Sequence, residues 1–249
     1  DAAHLSPPFA GQGMNSGIRD VGNLGWKLAL AIKKPKTKAI LETYFLERKE
    51  HCWALINLAI RMGIIMVPKH RFSSFFNASF FRLIKINKTL FNYVSQMKYR
   101  PKPKISRGII YVHGKNTRNE KKILGTLFPQ PLVENIKGRE SYLDDVLGDK
   151  FSLVCYIKHF ETYISIEKWL DKLSKTCKVV VLLHQSCTIF PSRHEVIRDS
   201  NNLLENTNPR VPENSVVLIR PDKLVSAIYN KNNLHYLSDL LNNDEIFSF

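Results

Sequence analysis

From Ser16 onward the apolar positions Ile18, Val21, Leu24 and Leu28 fall three and four residues apart, which predicts an amphipathic helix. Asn15 or Ser16 is placed to cap its start. Lys33-Lys34-Pro35 ends it with cations at the negative pole of the helix and a residue that cannot continue it. A second helix is predicted from about Thr37, where Ile40, Leu41, Tyr44, Phe45 and Arg48 lead toward Ile60. The apolar run from Trp53 to Val67 carries Arg61 and falls short of the ~20 residues a membrane span needs, so it reads as a buried helix. Ahead of both helices, DAAHLSPPFAGQGMN holds two prolines and two glycines and reads as a loop.

The rhythm then changes twice. Residues 68–107 interleave Phe72, Phe75, Phe76, Phe80, Phe81 and Phe91 with Arg and Lys. Aromatic residues among cations resemble a nucleic-acid surface, but spacings of three to five predict the buried face of a helix. Pro101 and Pro103 break this pattern and mark a linker. After Gly125 come short apolar runs, Phe151 to Ile157, Lys178 to Leu183 and Ser215 to Arg220, that read as strands. Helical patterns run from Ile164 to Leu173 and from Leu234 to Leu241. Strand–helix–strand, then strand and final helix, predicts a small α/β domain at the C-terminal end.

With 249 residues, 44% hydrophobic and 24% charged, the chain has the composition of a globular protein with a real core. The net charge of +15 matters less than its placement. Residues 67–123 carry fourteen Lys or Arg against one acid, Glu120, whereas residues 124–249 carry fourteen against sixteen. Such a basic segment is suited to nucleic acid, an anionic membrane or an anionic substrate, or is simply a solvated connector; the last is the reading taken. No reading motif for a specific nucleic acid occurs. Cys52, Cys155, Cys177 and Cys187 show neither CxxC nor metal-type spacing with histidine, which predicts reduced, mostly buried thiols and a cytoplasmic protein. Nothing near Asp1 has the form of a signal peptide.

The stretch that carries chemistry is DAAHLSPPFAGQGMNSGIRD. An acid, a Pro-Pro turn and a Gly-x-Gly that opens a helix suit a ligand with hydroxyls and developing negative charge. Glycines let backbone approach a flat ring, Met14 and Asn15 N–H groups sit at the positive end of the helix dipole, and Asp1 accepts from hydroxyls. Alone, a Gly-x-Gly is equally well a structural turn. His4 reads as a structural hydrogen-bonding residue.

The whole string resembles the second FAD-binding motif of the class A flavoprotein monooxygenases. GIRDVGNLGWKLALAI and LETYFLERKEH are similar to the same family, in its 3-(3-hydroxyphenyl)propionate hydroxylase and phenol hydroxylase-like branch. GTLFPQPLVEN, YLDDVLGDKFSLV and VVLIRPDKLV resemble the thioredoxin-like C-terminal domain of that branch; residues 68–120 have no clear counterpart. The resemblance implies that Asp1 binds the FAD ribityl chain and that Pro7 and Pro8 form the turn beside the reactive edge of the flavin. It also implies that Gly11, Gln12, Gly13, Met14 and Asn15 hold the pyrimidine side of the ring.

By the same resemblance, the family's GxGxxG segment for the ADP half of FAD is expected upstream, since no GxGxxG occurs in these residues. The chain is then the C-terminal portion of an FAD-dependent aromatic-ring monooxygenase using O2 and NAD(P)H on a small aromatic substrate, inactive alone. The domains expected are 1–67, the end of the FAD domain; 68–120, a basic helical connection; and 121–249, a thioredoxin-like domain. Lys158-His159-Phe160-Glu161 stands where a redox thioredoxin places CxxC, so that domain is expected to be redox-inert and to serve structure or homo-oligomerisation. The alternative is a non-catalytic fragment or a basic interaction module.

Overall fold

The structure, a computed structural model, describes residues 3–11, 13–68, 71–114, 116–190, 192–244 and 246–247. The chain divides into two compact units, Asp1–Leu24 with Tyr44–Pro103 and Gly25–Thr43 with Lys104–Phe249.

Helix α1 (Gly13–Lys33) begins at Gly13, three residues before the predicted start, so neither Asn15 nor Ser16 is its cap. Both lie inside the first turn, where a glycine followed by Met14 already takes helical geometry. The second predicted helix divides. Pro35–Leu41 is a 3₁₀ turn, with Pro35 at its first position supplying the fixed φ, and α2 runs from Glu42 to Met66. Helices α3 (Arg71–Ile86) and α4 (Lys88–Ser95) follow, the latter capped by the Asn87 side chain accepting from the Leu90 N–H at 3.0 Å. The expectation that the phenylalanines of this segment form a buried face is overturned. Phe72, Phe75, Phe76, Phe80, Phe81 and Phe91 are all exposed, and Ile84 is the buried apolar residue of α3. Periodicity tells which residues share a side of a helix, not which side the rest of the fold covers. Residues 101–106 have no regular structure, as Pro101 and Pro103 predict.

The second unit contains the end of α1, the Pro35–Leu41 turn and, further along the chain, α5 (Arg118–Ile123), held by a capping box in which Thr117 and Glu120 serve each other's backbone N–H. Then come β1 (Leu132–Asn135), β2 (Glu140–Tyr142), α6 (Leu143–Leu147), β3 (Ser152–Ile157) and α7 (Phe160–Leu173). After them follow β4 (Lys178–Leu183), β5 (Glu195–Asp199), β6 (Ser215–Ile219), β7 (Val225–Asn230) and α8 (Leu234–Asn243). The seven strands form one mixed sheet in the order β2-β1-β5-β4-β3-β6-β7. β3 and β4 pair in parallel from Ser152–Lys178 to Ile157–Leu183, with α7 as the crossover. β6 and β7 add antiparallel to β3, and α8 closes the unit. The β3-α7-β4 and β6-β7-α8 halves make a thioredoxin-like arrangement, and the chain as a whole is α/β.

Both faces of this sheet are covered. Leu153, Cys155 and Ile157 pack with α7 residues Ile166 and Leu170 and α8 residues Leu237 and Leu241 on one side. Val154, Tyr156, Val180 and Leu182 pack with Leu143, Leu147 and Ile197 on the other. Strands buried on both faces are continuous apolar runs, which is why β3, β4 and β6 are legible in the sequence. The outer edge of β7 is occupied by incoming chain: Tyr111 N–H donates to Ser226 O at 2.8 Å, Ser226 Oγ donates to Ile109 O at 2.8 Å, and Gly125 N–H donates to Val225 O at 2.9 Å.

β1, β2, β5 and β7 were not predicted. The β1–β2 turn did carry a signal, since Asn135 Oδ1 accepts from the Lys137 and Arg139 N–H groups and Gly138 takes positive φ. α7 starts at Phe160, so Lys158–Glu161 stands at its beginning without a cysteine. Cys155 and Cys177 are buried, and burial pushes the Cys177 thiol up to about 12 and the Cys155 thiol upward as well. Cys187, expected buried, is only partly so.

Candidate functional site

The loop before α1 is built by its prolines. Pro7 is extended, Pro8 starts a 3₁₀ turn through Ala10, and the Gly11 N–H closes it on Pro8 O at 3.0 Å. Gly11 then takes the left-handed conformation at φ 56°, which only glycine adopts cheaply. The turn is fastened to α2 by Phe9, whose ring lies so close to Gly63 that a Cβ there would meet it at 2.6 Å.

Pro8, Gly11, Gly13 and Met14 are exposed and Asn15 is half-buried, so these five predicted residues share one short surface at the start of α1. A Cβ added at Gly11 or Gly13 would meet nothing within 4 Å. The first turn of α1 contains no acidic residue, and the first N–H groups of a helix have no acceptor within it. The surface therefore offers backbone donors, a positive helix pole and two glycines with open space beside them among the described residues, which suits a flat, electron-rich group. Asp1 and Gln12 lie outside the described residues.

Behind that surface is a polar cluster. Arg48 of α2 is buried, and its Nε donates to Asp20 Oδ1 at 2.6 Å. Its Nη2 donates to Ser16 Oγ at 3.2 Å and to Cys52 Sγ at 3.3 Å, and Nη1 lies 3.3 Å from His51 Nδ1. The other Asp20 oxygen is 2.6 Å from His4 Nε2, so the loop, α1 and α2 meet at one carboxylate. Asn23 Nδ2 donates to the buried Glu47 at 2.6 Å. The ligand atoms of His4, Asp20 and Cys52 lie within 4.8 Å of one another, as a metal site would require. Arg48, however, donates to both Asp20 and Cys52, and its positive charge already stands where an ion would.

Comparison with known proteins places this geometry. The family model for an FAD binding domain matches residues 1–59, the loop and helices just described, and that for the HcaD C-terminal domain matches 125–244. The chain is 33% identical over 234 residues to 3-(3-hydroxy-phenyl)propionate/3-hydroxycinnamic acid hydroxylase of Burkholderia cenocepacia, covering 91% of this chain and 42% of that protein. It is 40% identical over 156 residues to the enzyme of the same name from Mycolicibacterium smegmatis, covering 63% of this chain and 27% of that protein. Over most of its own length the chain is related to part of the FAD-dependent aromatic hydroxylases. It spans under half the length of the curated relatives it matches. Among solved structures, the flavin-dependent monooxygenase PieE with FAD and substrate superposes with a TM-score of 0.57 at 19% identity, over 95% of this chain and 45% of that one. Aklavinone-11 hydroxylase with FAD and aklavinone does so with a TM-score of 0.57 at 15% identity, over 98% and 42%. Both likenesses are of fold.

The cluster around Arg48 is not legible as a site in this sequence. Arg48 served there only as a phase marker for α2, and its partners Ser16 and Asp20 are 32 and 28 positions away. The one available signal was a cation, a histidine and a cysteine at positions 48, 51 and 52, which share one side of α2.

One consequence is measurable. Burial, then Arg48 and Arg19, hold the His51 imidazole below its ordinary value. A histidine with a lowered folded pKa contributes stability that is complete above the unfolded value of about 6.5 and is lost as pH falls from there toward the folded pKa. Amide protection of α2 in hydrogen exchange should therefore drop between pH 7 and 5, and His51→Gln should flatten that drop. Equal pH slopes in both proteins would show that His51 does not carry it.

Proposed function

We propose that this chain supplies the flavin-facing loop and the C-terminal unit of an FAD-dependent monooxygenase that hydroxylates a small phenolic substrate. One oxygen atom of O2 would enter the ring and the other would leave as water, with NAD(P)H oxidised to NAD(P)+. The observation that carries this reading is the open Gly11–Asn15 surface at the positive pole of α1, within the stretch that matches an FAD binding domain. When bound, the flavin supplies the oxygen-insertion chemistry. The chain's own part is positional and electrostatic. Backbone N–H groups at Gly13, Met14 and Asn15 would hold the electron-rich edge of the ring, and the α1 pole would stabilise negative charge there. Gly11 and Gln12 would line the same edge, Pro7 and Pro8 would bar water beside it, and Asp1 would accept from the ribityl chain.

The domain division 1–67, 68–120 and 121–249 goes with this reading and is supported by the positions of the two family matches. No helix among the described residues is long and apolar enough to cross a membrane, and we read the protein as cytoplasmic. The C-terminal unit, with no cysteine at the start of α7, takes a structural or self-associating role.

The test joins this chain to the upstream segment of a hydroxylase relative and measures FAD affinity by fluorescence quenching. Gly13→Val should weaken binding by at least tenfold while leaving the unfolding midpoint of the apoprotein nearly unchanged, since a Cβ at Gly13 meets nothing in the chain itself. Asp1→Ala should lose a charge-assisted hydrogen bond worth ~1.5–3 kcal/mol, or roughly ten- to hundredfold in affinity. Wild-type FAD affinity in both variants would remove the flavin from this loop.

A further inference from the structure

Helix α3 turns its apolar side outward. At about 100° per residue, Phe75, Ile86, Phe72, Leu83, Phe76 and Phe80 share one side of the helix, and all six are between 54% and 81% exposed. The side turned inward is fixed by two other residues. Asn77 Nδ2 donates to Ile65 O at 2.8 Å, and Ile84 is 4% exposed. Helix α4, which follows directly, adds Leu90, Phe91 and Tyr93, each more than two-fifths exposed. An apolar patch of this kind on a protein surface marks something that covers it.

Charge identifies what does. Residues 67–103 contain eight Lys or Arg and no Asp or Glu. An apolar protein groove would ask for the phenylalanines alone. A bilayer of anionic phospholipid asks for both, a hydrophobic wedge and cations beside it at the depth of the phosphates. Arg82 lies at the border of the apolar side, one step from Phe75 on the helix projection, and Lys85 and Lys88 carry long stems that let an ammonium reach the headgroups from a buried backbone. The exposed apolar residues of α1, Ile18 and Val21, have no such company: Arg19 and Asp20 beside them offset each other.

We propose that α3 and α4 form an interfacial anchor that lies on an anionic phospholipid surface, with Phe72, Phe75, Phe76 and Phe80 in the headgroup boundary and Arg82, Lys85 and Lys88 on the phosphates. The anchor lies on the membrane and does not span it. It brings the enzyme to the boundary where a sparingly soluble aromatic compound would concentrate.

The chain itself should sediment with vesicles of two parts phosphatidylcholine to one part phosphatidylserine at about 0.1 M salt. Binding should be at least tenfold weaker with phosphatidylcholine alone or at about 0.5 M salt, where the Debye length shrinks. The combined change Arg82→Gln and Lys85→Gln should weaken it on the order of 30-fold, about fivefold for each cation removed. Phe72→Ser with Phe76→Ser should weaken it at least tenfold, and circular dichroism should be unaltered because both side chains face outward. Ile18→Ser with Val21→Ser on α1 should leave vesicle binding as it is. Equal binding to uncharged vesicles, or loss of binding in the α1 variant, overturns the proposal. So does a lipid-independent dimer, seen by sedimentation velocity, that the Phe72/Phe76 variant abolishes, since the cover is then a second copy. Loss of vesicle binding when the upstream segment of a relative is joined to the chain would assign the cover to that polypeptide and equally overturn it.

Discussion

Arg48→Ala should destabilise the first unit by about 3–5 kcal/mol, the range for removing one partner of a buried ion pair. The cause is what remains. Asp20, only 14% exposed at its side chain, keeps its charge and loses the guanidinium at 2.6 Å, and Ser16 Oγ and Cys52 Sγ lose the same donor. Urea unfolding followed by α2 amide exchange reads the loss. Adding Asp20→Asn should recover part of it, because the stranded charge is gone, so the double variant should cost less than the sum of the singles. A shift below about 1 kcal/mol would mean that water solvates Asp20 as well as Arg48 does, and that the cluster is a surface pair.

Gly125→Ala should cost a similar amount in the second unit, on the order of 3–5 kcal/mol, by a different route. Gly125 sits at φ 75°, and a Cβ there would lie 1.8 Å from the Ile105 carbonyl oxygen. The residue cannot back away, because its N–H is bonded to Val225 O and its own carbonyl accepts from Ile105 N–H, both at 2.9 Å. Any added methyl must therefore break the seam between residues 105 and 225 or force Ile105, which is itself buried, out of place. Unfolding in urea, with Trp26 and Trp169 as probes of this unit, measures the effect. An alanine variant within about 1 kcal/mol of wild type would show that the seam is not held by this residue.

How far the sequence could be read depended on what kind of information each part carries. β3 and β4 were clear because after their first residues, Ser152 and Lys178, every position is buried on one face or the other, so Leu153–Ile157 and Val179–Leu183 are runs without a charged residue. β5, Glu195–Asp199, was hidden because it mixes charge with two apolar residues, and its Arg198 is matched by Glu134 across β1, a pairing no local window contains. Four phenylalanines of α3, Phe72, Phe75, Phe76 and Phe80, share one side as the spacing predicts, Phe81 lies off it, and none of the five is in the core. A sequence period gives an angle, and only the packed fold says what lies in that direction. The loop from Pro8 to Asn15 is the opposite case. Its glycines and prolines are weak singly, but together they dictate a turn, a left-handed step and a helix start, and the structure builds those in that order. The Arg48 cluster stayed out of reach because burial of a cation is decided by distant partners, not by neighbours in sequence.

The covered margin of β7 has a consequence for how copies of this protein meet. A sheet grows between molecules by presenting a row of unmet backbone donors and acceptors, and edge pairing of this sort is a common route to both dimers and fibres. Here segments 109–111 and 125–127 occupy the start of that row, at residues 224–226. On the other side β2 offers three residues, Glu140–Tyr142, with a carboxylate at the first. Sheet-to-sheet joining is therefore closed at the start of β7 and limited to three residues at β2, so an association of copies that survives point substitutions on the helices of this unit would have to use the remainder of β7.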